Sequence, residues 1–471
     1  MNTVIPSGPR PINRRALLKG AGAVGAAALL GMAATSQARA AQQSAGGAYD
    51  VIVIGAGFAG VTAARELRRS GKKVLILEAR GRIGGHTWTD TFLGEKVDFG
   101  GAWLDETHPH AWAELKRYGL QTTGDSAPDV TIFPTDTGYR TYTPTEGFGH
   151  TEQLVTPLFD GSRDYFPKPL DPWAREDLLR PVDKISMQEK FNQFKLSPAD
   201  TKWLSGAMGG LAGGGARGAL TQMAQWWALS NWDYKTFNNV NSVRLVQGTA
   251  ALIQAMLADA SADLVLNSPV ASVTDSGDRV QVTTRGGAAY QAAKVVVAVP
   301  VNLWKDITFN PGLPTVYRNA STATIGVPTA KKLWLHIRSD KGLVFTRGDE
   351  KAPISTIVPS YPLGDGYLAF AFSIAPGLDV TNTQQIEAAV KQFDPGAKLL
   401  AARGHDWGND PYARGGWSFK QPGQLTQTLR SIQQPIGRVA FANSDIASGW
   451  SGWIDGAIES GQRAAAQVMG A

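Results

Sequence analysis

The chain has 471 residues, of which 43% are hydrophobic, 18% are charged and none is cysteine. This composition excludes a disordered protein, and the missing cysteine excludes disulfides, zinc–thiolate sites, iron–sulfur clusters, a cysteine nucleophile and a flavin attached through cysteine. The formal net charge is +6, but residues 1–40 hold five basic residues and no acid, which leaves 41 basic against 40 acidic residues in the remainder. The positive charge therefore belongs mainly to the N-terminal segment, and nucleic-acid binding is not expected.

Residues 1–40 have the features of an export signal. Arg14 and Arg15 precede an apolar run over residues 21–34, and residues 38–40 (Ala-Arg-Ala) supply the small side chains of a cleavage site. The pattern resembles a twin-arginine signal peptide, which predicts a periplasmic or secreted protein. A run of about 14 residues is too short to cross a hydrocarbon core of roughly 30 Å as a helix. A basic tail and an uncleaved membrane tether are the alternatives, and no membrane span is expected in the mature chain.

The next predicted elements are a strand, a glycine-rich turn and a helix. Residues 51–54 are a β-branched run, and Gly55, Gly57 and Gly60 follow at the spacing of a dinucleotide-binding turn. The first glycine permits the tight bend, the second lets a pyrophosphate approach the backbone, and the third lets helix and strand pack closely. A second predicted strand ends at Glu78, 18 residues past the last glycine, where a carboxylate can accept hydrogen bonds from a ribose. The sequence therefore predicts a dinucleotide cofactor.

The residues after the second strand separate FAD from NAD. Residues 77–87 read L-E-A-R-G-R-I-G-G-H-T, and residues 98–103 read D-F-G-G-A-W. They resemble the flavin-dependent amine oxidase superfamily, whose members carry an E-A-R-x-R-x-G-G-R-T run and then a G-G-x-(aromatic) segment. The resemblance implies FAD as the cofactor. It also implies an α/β fold, in which a Rossmann-type, glutathione-reductase-like FAD-binding domain is interleaved with a substrate domain of mixed sheet and helices.

Two arginines of this run are expected at the pyrophosphate. Arg80 and Arg82 can form forked hydrogen bonds that lysine cannot match, and solvated surface charges are the alternative. The residues expected to contact FAD are Gly55, Gly57, Phe58, Ala59, Gly60, Glu78, Ala79, Arg80, Arg82, Gly84, Gly85, His86, Gly101, Ala102, Trp103, Val270, Trp407, Asp445, Trp453 and Ile454.

The C-terminal segment resembles the monoamine oxidases. Residues 438–445 form a predicted strand that ends at Asp445, and a helix is predicted from Ile454. The resemblance implies that the carboxylate reaches the ribityl chain and that the helix N-terminus faces the N1–C2=O edge of the flavin. At that position the positive end of the helix dipole favours the reduced, anionic flavin ring. The alternative is an ordinary amphipathic helix that packs on the core. The two interpretations are compatible, because the apolar face of the helix can pack on the core while its first turn contacts the flavin ring.

Two tryptophans in this region are expected to flank the substrate. Trp417 follows Gly416, and Trp453 ends a W-S-G-W run. The resemblance implies an aromatic pair on either side of the amine nitrogen, which excludes water and tolerates partial positive charge. The relatives carry cysteine at the position of Gly416, so the FAD is expected to bind without a covalent link. Burial in a core is the alternative for both indoles.

Lys332 completes the expected catalytic set with Trp417 and Trp453. It lies in a predicted strand of alternating bulky residues, where family members place a lysine that is hydrogen-bonded through water to flavin N5. An interior lysine can carry a lowered pKa and organise water. Lys331 should point to the opposite face, because side chains alternate along a strand. Either lysine could instead be an ordinary edge-strand residue.

The predicted domains are discontinuous. The FAD-binding domain is expected to comprise 47–125, 245–310 and 401–471, and the substrate domain 126–244 and 311–400. In related flavoproteins a Pro-Val pair, here Pro269 and Val270, places backbone groups at the adenine. The first substrate segment is helical and rich in aromatics, and we expect its glycine-rich stretch 209–215 to be a flexible loop without a phosphate role, because no strand precedes it.

Within the superfamily, the motif order over residues 49–470 looks like the bacterial nicotine oxidoreductase and pseudooxynicotine amine oxidase group. The matching motifs are Gly101-Ala102-Trp103, Pro109-His110, Leu229-Ser230-Asn231 and residues 445–450. Two residues depart from the family pattern: His86 replaces the arginine of G-G-R-T, and Asn443 replaces the glycine of F-A-G. A neutral imidazole offers no charge to pyrophosphate, and a tight turn at 443 would rely on the tolerance of asparagine for left-handed backbone. Weaker FAD retention is therefore expected.

The resemblance predicts oxidation of a primary or secondary amine, nicotine-like or pseudooxynicotine-like in the leading case. The imine formed is hydrolysed to an aldehyde and an amine, and electrons pass to O₂, giving hydrogen peroxide, or to a periplasmic cytochrome c. No metal site is expected, because the six histidines show no ligand spacing. An L-amino acid oxidase, with Arg217 or Arg244 holding the carboxylate, and a catalytically silent flavoprotein are the alternatives. A homodimer is one of the assembly states left open.

Overall fold

A computed structural model describes residues 49–470. The predicted signal peptide at 1–40 and the first two residues of the range 47–125 lie outside the described residues.

The strands divide into two large sheets and two small ones. In chain order they are β1 (Tyr49–Ile54), β2 (Val74–Leu77), β3 (Thr89–Phe92), β4 (Glu95–Asp98), β5 (Trp103–Leu104), β6 (Thr122–Gly124), β7 (Val130–Pro134), β8 (Tyr139–Tyr142), β9 (Val243–Leu245), β10 (Asp263–Val265), β11 (Val270–Asp275), β12 (Val280–Thr284), β13 (Ala289–Val297), β14 (Thr308–Asn310), β15 (Lys331–Arg338), β16 (Val344–Arg347), β17 (Thr356–Leu363), β18 (Gly366–Ser373), β19 (Lys398–Asp406) and β20 (Val439–Phe441).

Helices cover both faces of the first large sheet and one face of the second. In chain order they are α1 (Phe58–Arg69), α2 (Pro109–Arg117), α3 (Pro144–Val155), α4 (Ser162–Tyr165), α5 (Glu176–Val182), α6 (Met187–Phe191), α7 (Pro198–Leu204), α8 (Gly210–Ala212), α9 (Leu220–Leu229), α10 (Tyr234–Asn239), α11 (Thr249–Ala260), α12 (Thr315–Ala323), α13 (Thr383–Phe393), α14 (Arg430–Ile432) and α15 (Ile454–Met469). Short 3₁₀ turns occur at Thr156–Phe159, Val301–Asp306 and Ser444–Ile446, and π-helical turns at Ser205–Gly209 and Leu425–Leu429.

The first large sheet has the order β10-β2-β1-β13-β12-β11-β14, with β20 beside β13. Its central strands β2, β1, β13 and β20 pair in parallel. The stretches 51–54 and 295–297 are continuous apolar runs that are fully buried, as parallel strands covered on both faces require. Helices α1, α11 and α15 pack over one face through residues such as Val61, Ile253 and Ile458. The doubly covered parallel core confirms the predicted Rossmann-type unit.

The turn between β1 and α1 depends on two glycines. Gly55 has a φ of +106°, and a Cβ at Gly60 would lie 2.0 Å from the carbonyl oxygen of Gly55. Any side chain at residue 60 would therefore push α1 away from the sheet. The helix can start directly above the end of β1 only with glycine at this position.

The second large sheet has the order β19-β15-β18-β17-β16-β7-β8. Its two faces differ because side chains alternate along each strand. Leu333 and Leu335 of β15 pack with α13 on one face, while Trp334 lies on the other face with Phe370 of β18 and Trp103. The second face turns toward the first sheet, so every second residue of β15 points between the two sheets.

Two boundaries of the expected domain division fall inside strands. The position 244/245 lies in β9 (Val243–Leu245), which pairs with β5 and β6. The position 400/401 falls inside β19 (Lys398–Asp406), and this strand pairs along its length with β15 of the second sheet. A division that respects the pairing lies after residue 406. The mixed α/β architecture itself agrees with the prediction. Across residues 49–470, no helix combines the length and apolar character needed to cross a membrane.

We expect Gly60→Ala to destabilise the protein. The new methyl group would meet the Gly55 carbonyl at 2.0 Å, and overpacking of this kind costs about 3 kcal/mol. The matched control is Gly149→Ala in α3, where a Cβ meets nothing within 4 Å and the free energy of unfolding should rise by up to about 1 kcal/mol. Urea denaturation of the FAD-loaded variants measures both, and equal effects would contradict the packing argument.

Candidate active site

Two connected cavities lie between the sheets. A cleft of about 170 Å³ follows the turn after β1, and a wider cavity of about 460 Å³ lies under the inner face of the second sheet. The residues that line both are His86, Gly101, Trp417, Gly452, Trp453 and Ile454. A molecule that extends along the cleft therefore meets a molecule in the wider cavity at this junction.

The phosphate end of the cleft is the N-terminus of α1. Gly57 is the N-cap, no side chain caps this helix, and its first turn holds no acid. A Cβ at Gly57 would meet only backbone atoms of Gly85 and Gly84, at 3.8 and 4.0 Å. The first amides of the helix are thus free to bind an anion, and the helix dipole favours a negative charge there.

Glu78 lies at the end of β2 and is buried. Its two carboxylate oxygens accept hydrogen bonds from the amides of Ala56 and Arg80, both at 2.8 Å. Pro269 and Val270 line the same end of the cleft. The predicted acidic residue and the predicted adenine neighbours therefore come together at one end of the cleft.

The two arginines of the E-A-R-G-R run have different surroundings. Arg80 lines the cleft and is paired with Asp410. Burial raises the pKa of Asp410, but the hydrogen bonds from His405 and Arg80 have a larger combined effect and hold that pKa below its usual value. Arg82 does not line the cleft, because its guanidinium donates to the carbonyls of Ile83 and Thr87. Arg82 therefore orders the turn after β2, and its contact with pyrophosphate stays a prediction.

The C-terminal strand brings Asp445 to the cleft. Its carboxylate accepts a hydrogen bond from the amide of Val301 at 3.0 Å, and burial raises its pKa to about 6. Asn443 has a φ of −169°, and its side chain accepts from the amide of Asp445. The left-handed turn that we expected at Asn443 is therefore absent, because the backbone there is extended, and this part of the argument for weak FAD retention does not hold.

The N-terminus of α15 points into the junction without a capping side chain. Asp455 lies in its first turn, but the carboxylate is directed away and accepts hydrogen bonds from the amides of His110 and Ala111 at the start of α2. The first turn of α15 therefore keeps its positive end toward the cleft, where Trp453 and Ile454 line the wall.

Trp417 and Trp453 are held at the junction by contacts between their loops. Gly452 has a φ of +87°, and a Cβ there would lie 2.9 Å from the carbonyl oxygen of Ser418. The indole Nε1 of Trp417 donates to the carbonyl of Leu211 at 2.7 Å, whereas the ring of Trp453 packs against Trp226 at 5.8 Å between centroids. The two rings therefore have separate supports and line the same space.

The residue before Trp417 leaves no room for a cysteine. A Cβ at Gly416 would meet the Cβ of Ala330 at 2.3 Å. Since the chain also has no cysteine, a thioether to the flavin is excluded at this position.

Lys332 lies in the wider cavity on the inner face of β15. Its ammonium donates to the carbonyl of Gly100 at 2.8 Å and lies 4.2 Å from the ring centre of Trp103. Burial lowers its pKa to about 7, and the Asp98 carboxylate opposes this shift. The ammonium of Lys331 is directed elsewhere, to the carbonyl of Ala375 and to Asp406. The expected alternation between the two lysines is therefore present.

His86 replaces the family arginine and lies at the junction. Its ring packs on Trp407 at 4.0 Å between centroids, and its Nε2 is buried without a hydrogen-bond partner in residues 49–470. Burial lowers the pKa of His86 to about 3, so the ring is neutral. A neutral nitrogen without a partner at the cleft can bind a cofactor atom by a hydrogen bond but offers no charge.

Most of the predicted cofactor residues come together. Those that line the cleft are Gly55, Gly57, Phe58, Ala59, Glu78, Ala79, Arg80, Gly84, Gly85, His86, Gly101, Val270, Asp445, Trp453 and Ile454. Those that line only the wider cavity are Ala102, Trp103, Trp407 and Lys332. Gly60 and Arg82 line neither cavity. Gly60 allows α1 to pack closely on the turn after β1, and Arg82 donates a hydrogen bond within the turn after β2.

The glycine-rich stretch has more order than we expected. Its residues up to Ala212 continue the π-helical turn Ser205–Gly209 and α8, because Gly206 and Gly209 pack against the segment 348–350. Helical backbone here supplies the Leu211 carbonyl that holds Trp417. The prediction of a flexible loop is wrong for this part.

Two cavity residues gave no signal in the sequence. Arg347, at the end of β16, and Tyr234, at the start of α10, both line the wider cavity. Tyr234 has a buried hydroxyl that finds no partner in the part of the chain the structure describes, and burial raises its pKa to about 12. An arginine after a short strand and a tyrosine after an aspartate are ordinary surface patterns, so only the packing identifies these two residues.

The arginines proposed for an amino acid oxidase are already engaged. Arg244 is paired with Asp125 at 2.7 Å, and Arg217 donates to the carbonyls of Phe419 and Gly326. Residues 49–470 contain no group of three or more histidine, aspartate and glutamate side chains arranged to hold a metal ion.

A glycine-lined dinucleotide cleft that opens into an aromatic cavity defines a cofactor-dependent oxidoreductase. The chain belongs to the flavin containing amine oxidoreductase family, whose family model matches residues 58–469. It is an enzyme that oxidises amines with FAD, as the sequence predicted.

Curated relatives cover almost the whole chain. Pseudooxynicotine dehydrogenase from Pseudomonas sp is 35% identical over 97% of this chain and 95% of its own length. Nicotine dehydrogenase from Pseudomonas putida (strain DSM 28022 / S16) is 32% identical over 95% and 94%. (S)-6-hydroxynicotine oxidase from Paenarthrobacter nicotinovorans is 31% identical over 89% and 99%. These similarities confirm the predicted branch of the superfamily.

Solved structures share the fold. Wild-type putrescine oxidase bound to putrescine has a TM-score of 0.76 at 23% identity, and cyclohexylamine oxidase from Brevibacterium oxydans IH-35A has a TM-score of 0.72 at 20% identity. Each covers 90% of this chain and 99% of its own.

A twin-arginine translocation pathway signal sequence matches residues 11–31, so the predicted export by this route is confirmed.

Lys332→Met should change how stability depends on pH. The folded protein releases the Lys332 proton near pH 7, whereas the unfolded chain keeps it to about 10.5. Between these values the unfolded state binds more protons, so the free energy of unfolding of the wild type should rise with pH relative to that of the variant. Urea denaturation from pH 7 to 10 at fixed FAD concentration measures the difference, and parallel curves would contradict it.

His86→Arg should slow FAD dissociation. A guanidinium at the cleft would add a charge-assisted hydrogen bond to pyrophosphate that the neutral imidazole cannot supply. Recovery of flavin fluorescence after dilution measures the rate. The control is His150→Arg, whose histidine is paired with Asp200 outside both cavities. Wild-type protein that keeps all of its FAD through dilution and gel filtration would show that retention is not weak.

Proposed function

We propose that the enzyme oxidises a secondary or primary amine of the nicotine-breakdown type to an imine, which water hydrolyses to an aldehyde and an amine. The observation that carries the proposal is the position of Trp417 and Trp453, which line both the dinucleotide cleft and the wider cavity. The names of the relatives supply the substrate class: pseudooxynicotine and nicotine dehydrogenases at 35% and 32% identity.

The cleft residues are proposed to hold FAD along its length. The uncapped N-terminus of α1 binds the pyrophosphate, Glu78 accepts from the ribose, and Asp445 binds the ribityl chain. The N-terminus of α15 faces the electron-accepting ring. FAD, when bound, supplies the two-electron acceptor for removal of hydride from the carbon next to the amine nitrogen.

The wider cavity favours an uncharged amine. Its lining contains one carboxylate, Asp125, and this group is paired with Arg244. Lys332 adds a positive or neutral group, so among the described residues no free carboxylate holds an ammonium there. The indoles of Trp417 and Trp453 orient the neutral amine, exclude water from its nitrogen and stabilise the positive charge that develops as the hydride leaves.

Lys332 is proposed to position water at the junction. Its Nζ donates to the Gly100 carbonyl, which leaves further donors for a water molecule. With a pKa near 7 the group can also release or accept a proton at neutral pH. Water held in this way is available to hydrolyse the imine.

Electrons leave the reduced enzyme to O₂ or to a cytochrome c. Relatives bearing both kinds of name occur, two called dehydrogenase and one called oxidase. Mixing amine-reduced enzyme with oxygenated buffer, and separately with ferricytochrome c, gives the two reoxidation rates, and the faster one identifies the acceptor.

The test is an anaerobic titration of the FAD-loaded protein. A secondary amine of the pseudooxynicotine type should bleach the flavin absorbance near 450 nm, whereas L-amino acids should not. Bleaching by amino acids alone would support an amino acid oxidase instead, and no bleaching by any amine of a broad panel would indicate a silent flavoprotein.

Trp417→Ala should lower the limiting rate of flavin bleaching at least about tenfold, since the amine loses one wall that orients it. The matched control is Trp112→Ala on α2, which lines neither cavity and should leave the rate within about twofold. FAD content per protein serves as the folding check. An unchanged rate in the first variant would contradict the proposed role of the indole pair.

A further inference from the structure

The lining of the wider cavity includes an arginine that the proposed reaction does not use. Arg347 lines the cavity, and its Nη1 donates to the carbonyl of Ala207 at 3.1 Å. Its Nε is buried and has no hydrogen-bond partner within residues 49–470, where the hydrogen bond that the guanidinium makes comes from Nη1. The Nε–Nη2 edge of the guanidinium therefore has no hydrogen-bond acceptor among these residues. This edge presents two parallel N–H donors, the fork that binds an oxygen acceptor.

No carboxylate of the described residues pairs with Arg347. The acids closest in sequence are engaged elsewhere: Asp349 accepts from the amide of Lys351 at 2.9 Å, and Glu350 from the amide of Gly215 at 2.9 Å. Asp125, across the cavity, is paired with Arg244. A guanidinium at a cavity wall without a counter-charge is costly to the protein unless something that enters the cavity binds it.

Tyr234 adds a second free donor in the same cavity. Its hydroxyl is buried, and the nearby Arg347 guanidinium and Thr151 hydroxyl oppose the rise of its pKa on burial. Two adjacent groups that can both donate, with no acceptor from the protein, indicate a site for an acceptor on the ligand.

Arg347 and Trp417 are both held by the same short helical segment. Ala207 and Leu211 lie four residues apart in the continuous π- and α-helical segment 205–212, and their carbonyls accept from Arg347 and Trp417 respectively. The two side chains are therefore anchored about one turn apart. Gly206 permits this arrangement, because a Cβ there would lie 1.7 Å from the carbonyl oxygen of Gly348.

We propose that Arg347, assisted by Tyr234, binds an oxygen acceptor at the end of the substrate remote from the amine, either a carboxylate or a ketone carbonyl. The inference rests on the proposed amine oxidation and adds the substrate's second functional group. Because Arg347 and Trp417 are held by different carbonyls of this segment, the acceptor belongs to a part of the substrate other than the carbon that carries the amine.

The experiment compares amines that differ only in the acceptor. The first pair is 4-(methylamino)-1-phenylbutan-1-one and N-methyl-4-phenylbutylamine, and the second pair is 4-(methylamino)butanoate and N-methylbutylamine. Anaerobic stopped-flow bleaching of the FAD-loaded enzyme gives the apparent Kd and the limiting rate for each. Wild-type enzyme should bind at least one acceptor-bearing amine about tenfold tighter than its matched amine.

Arg347→Gln should raise the apparent Kd of that acceptor-bearing amine at least about tenfold and leave the Kd of the matched amine within about twofold. Arg347→Lys keeps the charge but not the forked pair of donors, and it should raise the apparent Kd by an intermediate factor. Tyr234→Phe removes only a hydroxyl and should weaken the same compound less. Arg140→Gln, an exposed arginine on β8 away from the cavity, is the control. FAD content and the thermal midpoint verify folding.

The pattern across the four amines decides between outcomes. If Arg347→Gln lowers the affinity for 4-(methylamino)butanoate more, the substrate carries a carboxylate. If it lowers the affinity for the ketone more, the substrate carries a carbonyl. The role of Arg347 would be overturned if its substitution changed the apparent Kd equally for acceptor-bearing and matched amines. It would also be overturned if the wild type bound both kinds of amine equally well. Either result would leave the proposed amine oxidation intact. If none of the four amines bleaches the flavin, the proposed function itself fails.

Discussion

The active site depends on the close approach of two loops, one at 416–418 and the other at 450–453. Because residue 452 is glycine, its backbone lies against the Ser418 carbonyl, and the hydroxyls of Ser418 and Ser451 lie 3.3 Å apart. One loop carries Trp417 after the second sheet, and the other ends at the N-terminus of α15 above the first sheet. This single contact joins a nucleotide cleft to a substrate cavity, and a side chain at residue 452 would separate them.

The electrostatics of the two compartments differ in a way that suits their contents. The cleft offers helix N-termini and backbone amides, which attract a negatively charged dinucleotide. The wider cavity offers Lys332, Arg347 and aromatic faces, with its single lining carboxylate already paired. These groups support our proposals that the cavity takes the neutral amine, the form that can give up a hydride, and that Arg347 binds another part of the same molecule.

The parts of the site predicted from sequence are those held by local backbone. The turn at Gly55–Gly60, the acid ending β2 and the last helix follow from spacing alone, since each needs only a strand, a bend and a helix in order. The alternation that separates Lys332 from Lys331 follows from the period of a strand. Two side chains make contacts close by in the chain that the motifs do not specify: Arg82 donates to the carbonyl of Thr87, and Asn443, on extended backbone, accepts from the amide of Asp445. The stretch up to Ala212, in contrast, is helical because its glycines pack against the distant segment 348–350.

The sequence by itself determined the family, the FAD cleft, the export signal and the absence of a cysteine link, because these are properties of contiguous motifs and composition. Only the tertiary structure decided which side chains line the wider cavity. Arg347 and the Ala207 carbonyl are 140 residues apart, and Trp417 and the Leu211 carbonyl are 206 apart. Whether a polar group is satisfied or free depends on such distant partners, and no local pattern encodes them.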